Sequence, residues 1–218
     1  MDEQASSVDV RWLGRRPHGE VHAQMRALVD ARLADEVPDT LLLVEHDPVY
    51  TVGRARGSRD SLLAPGDVPV VDVEQGGNVT FHGPGQVTGY PVCKLPEGRR
   101  DLHAWLHGLE DVCTATLAHW GIQGGADPRN TGVWVDERKI AAIGIACRRW
   151  VTWHGFAINV DVDLDWFRRI RPCGLAEDTV TTMAAHVRPC PSVQDVAEQA
   201  ATAFCAWHQH PARMAPRT

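Results

Sequence analysis

The sequence predicts a mixed α/β (α+β) fold: one domain over residues 1–218 with a largely antiparallel sheet and helices packed on it. Strand-like segments fill the middle of the chain, and helical patterns lie at its start, centre and end. No shift in composition marks an internal boundary. A length of 218 residues and a hydrophobic share of 44% suit one globular domain with its own core.

Each element follows from apolar spacing and from residues that start or stop helices. A continuous apolar run such as TLLLVE is typical of a buried strand, and alternation is typical of a strand with two different faces. Asp101 is a good N-cap for the central helix, Gly121 stops it, and Ser192 with Asp195 resembles a capping box. The predicted elements are strands at 8–13, 40–45, 70–73, 86–93, 132–135, 140–147 and 151–160, and helices at 21–33, from Asp101 and from Ser192, with a loop region up to Pro69.

Charge and composition exclude several classes of protein. A net charge of −6 argues against a nucleic-acid binder, and no apolar run approaches the roughly 18 residues of a membrane span. The acidic, polar start is unlike a secretory signal. Six scattered cysteines without a CxxC pair indicate reduced thiols, so a cytoplasmic location is expected. Clusters of arginine are interpreted mainly as solubilising, with local basic faces for acidic protein partners as the alternative.

The chain uses arginine almost exclusively as its cation. Only Lys94 and Lys139 are lysines among 22 cationic residues. Lysine can release its proton when desolvated, whereas arginine cannot. Lys139 opens an apolar strand of small residues, so it is a candidate base if it points inward; a lysine whose ammonium reaches water at a strand end is the alternative. For Lys94, beside a loop, chance is the simpler interpretation.

Two further segments depart from an ordinary core pattern. Residues 76–86, GGNVTFHGPGQ, suit close backbone approach to a ligand, or else a hairpin with two Gly-rich turns. The segment matches neither a phosphate loop nor a dinucleotide fingerprint. Cys173 lies between Pro172 and Gly174, where a thiol would be fixed and accessible, although a single cysteine is a weak signal. His154 in its strand is by default a core polar residue.

The sequence pattern does not support a metal or cofactor site. His103 and His107 are four apart in HAWLH, but the glutamate of the zinc-protease motif is missing, so both are interpreted as surface histidines. We therefore expect no metal and no bound cofactor.

Taken in order, the motifs GGNVTFHGPGQVTGYPV, GVWVDERKIAAIG, HGFAINVDVDL and PCG strongly resemble the lipoyl(octanoyl) transferase family, over roughly residues 40–185. The resemblance implies the fold of biotin and lipoate protein ligases. It also implies octanoyl transfer from octanoyl-acyl carrier protein to a specific lysine of lipoyl domains, the first step of protein lipoylation. Acceptors would be lipoyl domains of 2-oxoacid dehydrogenase complexes and the glycine cleavage H protein, with neither nucleic acid nor membrane as a partner.

The resemblance also implies roles for individual residues. Cys173 would be the acyl-thioester nucleophile and Lys139 the residue that tunes it. The implied substrate pocket comprises Gln75, Gly76, Gly77, Asn78, Val79, Thr80, Phe81, His82, Ala142, Ile143, Gly144, His154, Gly155 and Phe156. Gln75 and Ala146 stand where the family usually has arginine, so two positive charges near the pocket are absent.

Two alternatives stay open. An ATP-dependent lipoate or biotin protein ligase on the same fold would activate a free acid and need no nucleophilic cysteine. The second alternative is a non-catalytic protein that binds acyl groups or lipoyl domains and has lost turnover. The replacement of the usual arginines by Gln75 and Ala146 motivates this interpretation. Octanoyl transfer by the purified protein separates the three.

Overall fold

A computed structural model describes residues 8–128, 130–171 and 179–209. Within these ranges the helices are α1 (His18–Leu33), α2 (Leu102–Ala118) and α3 (Val193–Gln209). The strands are β1 (Asp9–Arg16), β2 (Thr40–His46), β3 (Val49–Val52), β4 (Val70–Asp72), β5 (Val79–His82), β6 (Gln86–Lys94), β7 (Gly125–Asp127), β8 (Asn130–Val135), β9 (Arg138–Arg148) and β10 (Val151–Asn159). No helix in the described part of the chain is long and apolar enough to cross a membrane.

The strands form one large and one small sheet. The large sheet has seven strands in the order β1-β2-β6-β10-β9-β8-β7, and the small sheet has three in the order β4-β3-β5. In the large sheet only β1 and β2 are parallel, and every other neighbouring pair is antiparallel. This architecture confirms the predicted mixed α/β fold with a largely antiparallel sheet.

The predicted helix starts are confirmed by their hydrogen bonds. The Asp101 carboxylate accepts from the backbone N–H groups of His103 and Ala104 at 2.9 and 3.1 Å. Ser192 and Asp195 form a reciprocal cap: the backbone N–H of Asp195 donates to Ser192 Oγ, and that of Ser192 to the Asp195 carboxylate, both at 3.1 Å. Each cap satisfies N–H groups that have no partner inside the first helical turn.

Two expectations between residues 46 and 86 were wrong. The stretch up to Pro69 is not all loop, because it contains β3 and a short 3₁₀ turn at Ser58–Ser61. The segment 76–86 is not a hairpin either. β5 pairs with β3 in the small sheet, whereas β6 pairs with β2 and β10 in the large one. The turn at Gly83–Gly85 therefore connects two sheets.

The two faces of the large sheet are covered differently. α2 and α3 pack on one face over the larger apolar core, which includes Leu109 and Phe204. A methyl group on Gly108 would collide with the Trp207 ring, so this glycine allows the two helices to approach closely. α1 covers part of the other face, and its Met25 is fully buried there. The rest of that second face carries the candidate site.

Candidate active site

A cleft lies on the second face of the large sheet, beneath the Gly-rich loop at residues 75–78. Its empty volume is about 840 Å³ when the solvent at its mouth is included. The cleft is lined by Gln75, Gly76, Gly77, Asn78, Val79, Thr80, His82, Gln86, Thr88, Tyr90, Asn130, Thr131, Lys139, Ala142, Ile143, Gly144, Gly155, Phe156, Ala157, Asn159, Phe167 and Val180.

Backbone hydrogen bonds hold the Gly-rich loop over the sheet. The Gly76 N–H donates to the Ile145 carbonyl of β9 at 3.0 Å, and the Gly77 carbonyl accepts from the Ala55 N–H at 2.9 Å. Gly77 has a φ of 94°, a left-handed conformation that favours glycine. Glycine suits Gly76 and Gly77 because the backbone itself forms this wall of the cleft.

Small residues on β9 and β10 form the floor. Ala142 lies opposite Ala157, and Gly144 lies opposite Gly155. A methyl group at Gly155 would collide with the Gly89 carbonyl oxygen of β6, so the strands pack too closely for a side chain. The floor therefore offers an apolar surface that leaves room for a ligand.

Lys139 lies at one end of the cleft, near the start of β9. It is 8% exposed, which confirms the inward orientation and excludes a solvated strand end. Its Nζ donates to Asn130 Oδ1 at 2.5 Å and to the Thr131 carbonyl at 2.9 Å, and it lies 5.2 Å from the centre of the Trp134 ring. These contacts fix the position of the side-chain nitrogen.

A buried glutamate positions β8, the strand whose Asn130 and Thr131 accept hydrogen bonds from Lys139. Glu110 of α2 is 2% exposed, and its Oε1 accepts from the Gly132 N–H at 3.0 Å. Gly132 has a φ of 138°, and a methyl group there would collide with the Ala141 carbonyl oxygen at 2.4 Å and lie 3.2 Å from Lys139 Cε. The glycine therefore allows β8 and β9 to approach closely beside the lysine chain.

A chain of buried polar groups runs along the cleft from His82 to Thr181. Asn159 Nδ2 donates to the Thr181 carbonyl at 3.1 Å, Gln86 Nε2 donates to Asn159 Oδ1 at 2.9 Å, and Gln86 Oε1 is 2.7 Å from His82 Nδ1. The Thr181 carbonyl can only accept, so Asn159 Nδ2 is its donor and Asn159 Oδ1 accepts from Gln86 Nε2. Gln86 Oε1 is then an acceptor, which makes His82 Nδ1 the donor. Burial lowers the pKa of His82, so the ring is neutral and its Nε2 is an acceptor.

His46 and Tyr90 extend this neutral polar layer. His46 Nδ1 is 3.1 Å from the Arg16 carbonyl, which makes it a donor, and His46 Nε2 accepts from the Tyr90 hydroxyl at 2.8 Å. Burial, with the nearby His82, lowers the pKa of His46 to about 3, so it carries no charge at neutral pH. These histidines are positioning groups rather than cations.

Cys173 lies outside the described residues, so its distance to Lys139 stays a prediction. The described residues on either side of it are anchored by backbone hydrogen bonds, and on the side of Thr179 the partner is Lys139 of the cleft. The Arg171 N–H donates to the Ser61 carbonyl at 2.8 Å, and the Thr179 carbonyl accepts from the Lys139 N–H at 2.7 Å. Thr181 closes the pattern by donating its N–H to the Lys139 carbonyl at 3.0 Å.

All the residues predicted to form the substrate pocket line the cleft except Phe81 and His154. Phe81 lies in the core of the small sheet, where its ring stacks on Trp166 at 5.2 Å. His154 has a φ of 57° and packs its ring against Trp153 at 4.6 Å, on the side of α1. These two side chains therefore lie outside the lining of the cleft.

Sequence reasoning missed several residues that line the cleft: Gln86, Thr88, Tyr90, Asn130, Thr131, Ala157, Asn159, Phe167 and Val180. The available signal was alternation, since Gln86, Thr88 and Tyr90 share one face of β6 and Ala157 and Asn159 follow Gly155 on β10.

A mixed sheet with a cleft between a Gly-rich loop and a floor of small residues defines an α/β protein that can take a small molecule into that cleft. Comparisons with known proteins identify its family. The family model of the lipoyl protein ligase A/B catalytic domain matches residues 18–205. The chain therefore belongs to this family, as the resemblance had indicated, and it is an enzyme of the acyltransferase class.

Individual relatives agree with this assignment. An octanoyltransferase of Rubrobacter xylanophilus is 46% identical over 191 residues, covering 84% of this chain and 86% of the relative. One from Gloeobacter violaceus is 47% identical over 182 residues, covering 82% and 80%.

Solved structures share the fold at low sequence identity. A bi-partite lipoate protein ligase from Thermoplasma acidophilum superposes with a TM-score of 0.68 at 15% identity, over 94% of this chain and 84% of that one. A biotin protein ligase from Aquifex aeolicus gives a TM-score of 0.54 at 12% identity, over 93% and 71%. These likenesses confirm the predicted ligase-type fold.

Proposed function

We propose that this chain, as a single catalytic domain, transfers an octanoyl group from octanoyl-acyl carrier protein to a specific lysine of lipoyl domains through a thioester on Cys173. The observation that supports this best is the buried Lys139, held by Asn130 and Thr131 at the end of a cleft with a floor of small residues. The residue after the undescribed segment, Thr179, is hydrogen-bonded to the same lysine.

In the first half-reaction, Lys139 takes the proton of the Cys173 thiol. The thiolate attacks the carbonyl carbon of the donor thioester, and a new C–S bond forms as the carrier's C–S bond breaks. Lys139 returns the proton to the departing carrier thiol. One thioester replaces another, so the exchange is close to thermoneutral and needs no ATP.

In the second half-reaction, the amine of the acceptor lysine attacks the Cys173 thioester. The amine attacks in its neutral form, and Lys139 accepts the proton that it loses as the C–N bond forms. The C–S bond breaks, which releases the octanoyl amide, and Lys139 passes the proton to the departing Cys173 thiolate to restore the thiol. An oxyanion develops in each half, and backbone N–H groups near Gly144 or Cys173 are the proposed donors.

The cleft suits the alkyl tail of such a substrate. Ala142, Gly144, Gly155 and Ala157 present no bulky side chain, and each CH₂ that leaves water contributes about 0.8 kcal/mol. The His82–Gln86–Asn159 chain lies along the same cleft. Its neutral groups allow an uncharged acyl chain to bind without burying a charge.

The donor and acceptor are proposed from the relatives' activity. The names of the relatives imply an acyl donor, and one structural neighbour is a lipoate ligase described together with its E2 lipoyl domain. Lipoyl domains of 2-oxoacid dehydrogenase complexes and the glycine cleavage H protein are the proposed acceptors, in the cytoplasm.

The test is a transfer assay with purified protein, octanoyl-acyl carrier protein and a lipoyl domain, followed by intact mass of the acceptor. We expect the acceptor to gain one octanoyl group without ATP, and Cys173→Ser to abolish the gain. Cys205→Ser, on α3 and away from the cleft, is the matched control and should transfer normally. Labelling that requires ATP and free octanoate would instead favour a ligase, and binding without transfer would favour a non-catalytic protein.

A further inference from the structure

Three potential metal ligands meet beside the cleft but outside it. His22 comes from α1, Glu74 from the residue before the Gly-rich loop, and His154 from β10. Their ligand atoms all lie within 4.8 Å of one another. Glu74 Oε2 is 2.9 Å from His22 Nε2 and 3.5 Å from His154 Nε2. Three segments that are distant in the sequence thus bring two imidazoles and a carboxylate to one point.

His154 supplies an independent reason to expect a ligand here. Its side chain is 2% exposed, and its Nε2 has no hydrogen-bond partner in the described structure. A buried polar atom without a partner costs free energy, and an ion at the site is one explanation for it.

The spacing of the three atoms suits a zinc-type ion. Zinc binds histidine nitrogen and carboxylate oxygen at about 2.0–2.2 Å in tetrahedral geometry, which places neighbouring ligand atoms roughly 3.3 Å apart. The two distances from Glu74 Oε2, 2.9 and 3.5 Å, bracket that value, and all three ligand atoms lie within 4.8 Å of one another.

Glu74 Oε2 is hydrogen-bonded to His22 Nε2 at 2.9 Å, a contact that a bound ion would replace. Arg26 Nη1 lies 3.8 Å from the other oxygen, Glu74 Oε1, and the Arg26 side chain is 63% exposed. Glu74 also lines a surface groove together with Arg54 and Asp30. A water molecule entering from that groove can complete the coordination of an ion held by Oε2.

In a second cluster of potential metal ligands, the carboxylate is already engaged in several hydrogen bonds and ion pairs. Asp39, Cys93 and His208 also lie within 4.8 Å of one another. There, however, the carboxylate already accepts from Arg32 Nε at 2.7 Å, from His208 Nε2 at 3.0 Å and from the Lys94 N–H at 2.9 Å. Burial raises the pKa of the Cys93 thiol, which opposes the thiolate that a metal requires. This cluster is explained as an ion-pair network.

We infer that His22, Glu74 and His154 form a binding site for a divalent transition-metal ion of the zinc type. The ion joins α1, β10 and the residue that leads into the Gly-rich loop. Since Gln75 follows Glu74 and lines the cleft, occupancy of the site fixes one end of the loop that covers the cleft. None of the three proposed ligands lines the cleft that contains Lys139.

The test measures metal binding by the full chain, first stripped with a chelator. Zn²⁺ affinity is obtained by competition with a chromophoric chelator, and Co²⁺ is added separately for its visible spectrum. The variants are His22→Gln and Glu74→Gln, both at partly exposed side chains that tolerate substitution. His103→Gln, on the exposed surface of α2, is the matched histidine control, and His208→Gln reports on the second cluster.

We expect one site in the wild type, with a tetrahedral Co²⁺ spectrum that lacks a thiolate charge-transfer band. Loss of even an outer-shell partner costs roughly 10–100-fold in affinity, so either ligand variant should lose at least that much. Zn²⁺ should raise the melting temperature of the wild type and of His103→Gln and His208→Gln, but not of His22→Gln. Absence of binding to the wild type would overturn the inference. Unchanged affinity in both ligand variants, or affinity lost only in His208→Gln, would do the same.

Discussion

The two faces of the seven-stranded sheet differ in chemistry. On the face covered by α2 and α3 the core is mainly apolar, and helix side chains such as Leu109 and Phe204 are completely buried there. On the face toward α1 and the small sheet, buried positions include His82, Gln86 and Asn159. One face therefore resembles an ordinary hydrophobic core, and the other is a polar layer around a cleft.

This difference separates the stabilising part of the molecule from the functional one. Complete burial of a large apolar side chain contributes about 1.5–3 kcal/mol, and the α2/α3 face contains many such residues. Buried polar groups cost free energy unless they are hydrogen-bonded, and on the cleft face they form a connected chain. Substitutions on the first face should mainly lower stability, and those on the second should mainly lower activity.

The largest effect is expected at the end of the cleft. Lys139→Arg keeps the positive charge but cannot exchange a proton, and general acid–base catalysis typically contributes about 10²–10⁴-fold. The rate of acyl transfer should fall by a factor in that range, measured by steady-state assay at neutral pH.

Lys94→Arg is the matched control, because Lys94 forms a surface ion pair with Asp35 at 2.5 Å. It should transfer at the wild-type rate. A Lys139→Arg enzyme as fast as this control would assign Lys139 a structural role only.

The apolar face should respond in stability. Phe204→Ala on α3 removes a fully buried ring that packs against Trp105 and Trp207. The free energy of unfolding should fall by about 3–5 kcal/mol, as for other large-to-small core substitutions. Denaturant unfolding measures this, and kcat/KM per folded molecule should stay unchanged. A selective loss of kcat/KM with normal stability would contradict the separation of the two faces.

The polar chain should show a mixed response. Gln86→Ala leaves His82 Nδ1 and Asn159 Oδ1 without the partner that joins them. Leaving buried polar groups unpaired costs about 1–3 kcal/mol, and the cleft loses its fixed His82, so transfer should slow as well. Gln194→Ala on the exposed side of α3 is the control. If both variants behave alike in unfolding and transfer, the chain does not position the cleft.

The smallest effect is expected at a helix start far from the cleft. Ser192→Ala removes the hydroxyl that accepts from the Asp195 N–H at 3.1 Å. Loss of such a cap costs about 1 kcal/mol, visible as a lower melting temperature with unchanged transfer. A larger loss would mean that α3 depends on its cap more than on packing.

Much of the fold could be predicted from local sequence patterns. The N-cap at Asp101 and the capping box at Ser192 are local features, and both are confirmed by hydrogen bonds. The small sheet could not be predicted, because β3 exists only by pairing with β4 and β5. A strand of four residues has too little pattern of its own to reveal such partners.

The candidate site was predictable in part for a similar reason. Alternation along β10 places Gly155 and Ala157 on one face, but the left-handed φ of His154 breaks that alternation. The meeting of His22 with Glu74 depends on how α1 packs across the sheet. The available signal was the spacing of His18 and His22, which are four apart on a helix. The same spacing occurs in HAWLH, where His103 and His107 are both exposed, so the spacing alone does not identify a site.

The most direct measurement of the central claim is a single-turnover experiment with octanoyl-acyl carrier protein and no acceptor. The protein is quenched in acid, weighed by intact mass spectrometry and mapped by peptide. We predict one octanoyl adduct, located on Cys173, that forms much more slowly in Lys139→Arg and disappears when a lipoyl domain is added. An adduct on another residue, or one that persists in Cys173→Ser, would contradict the account.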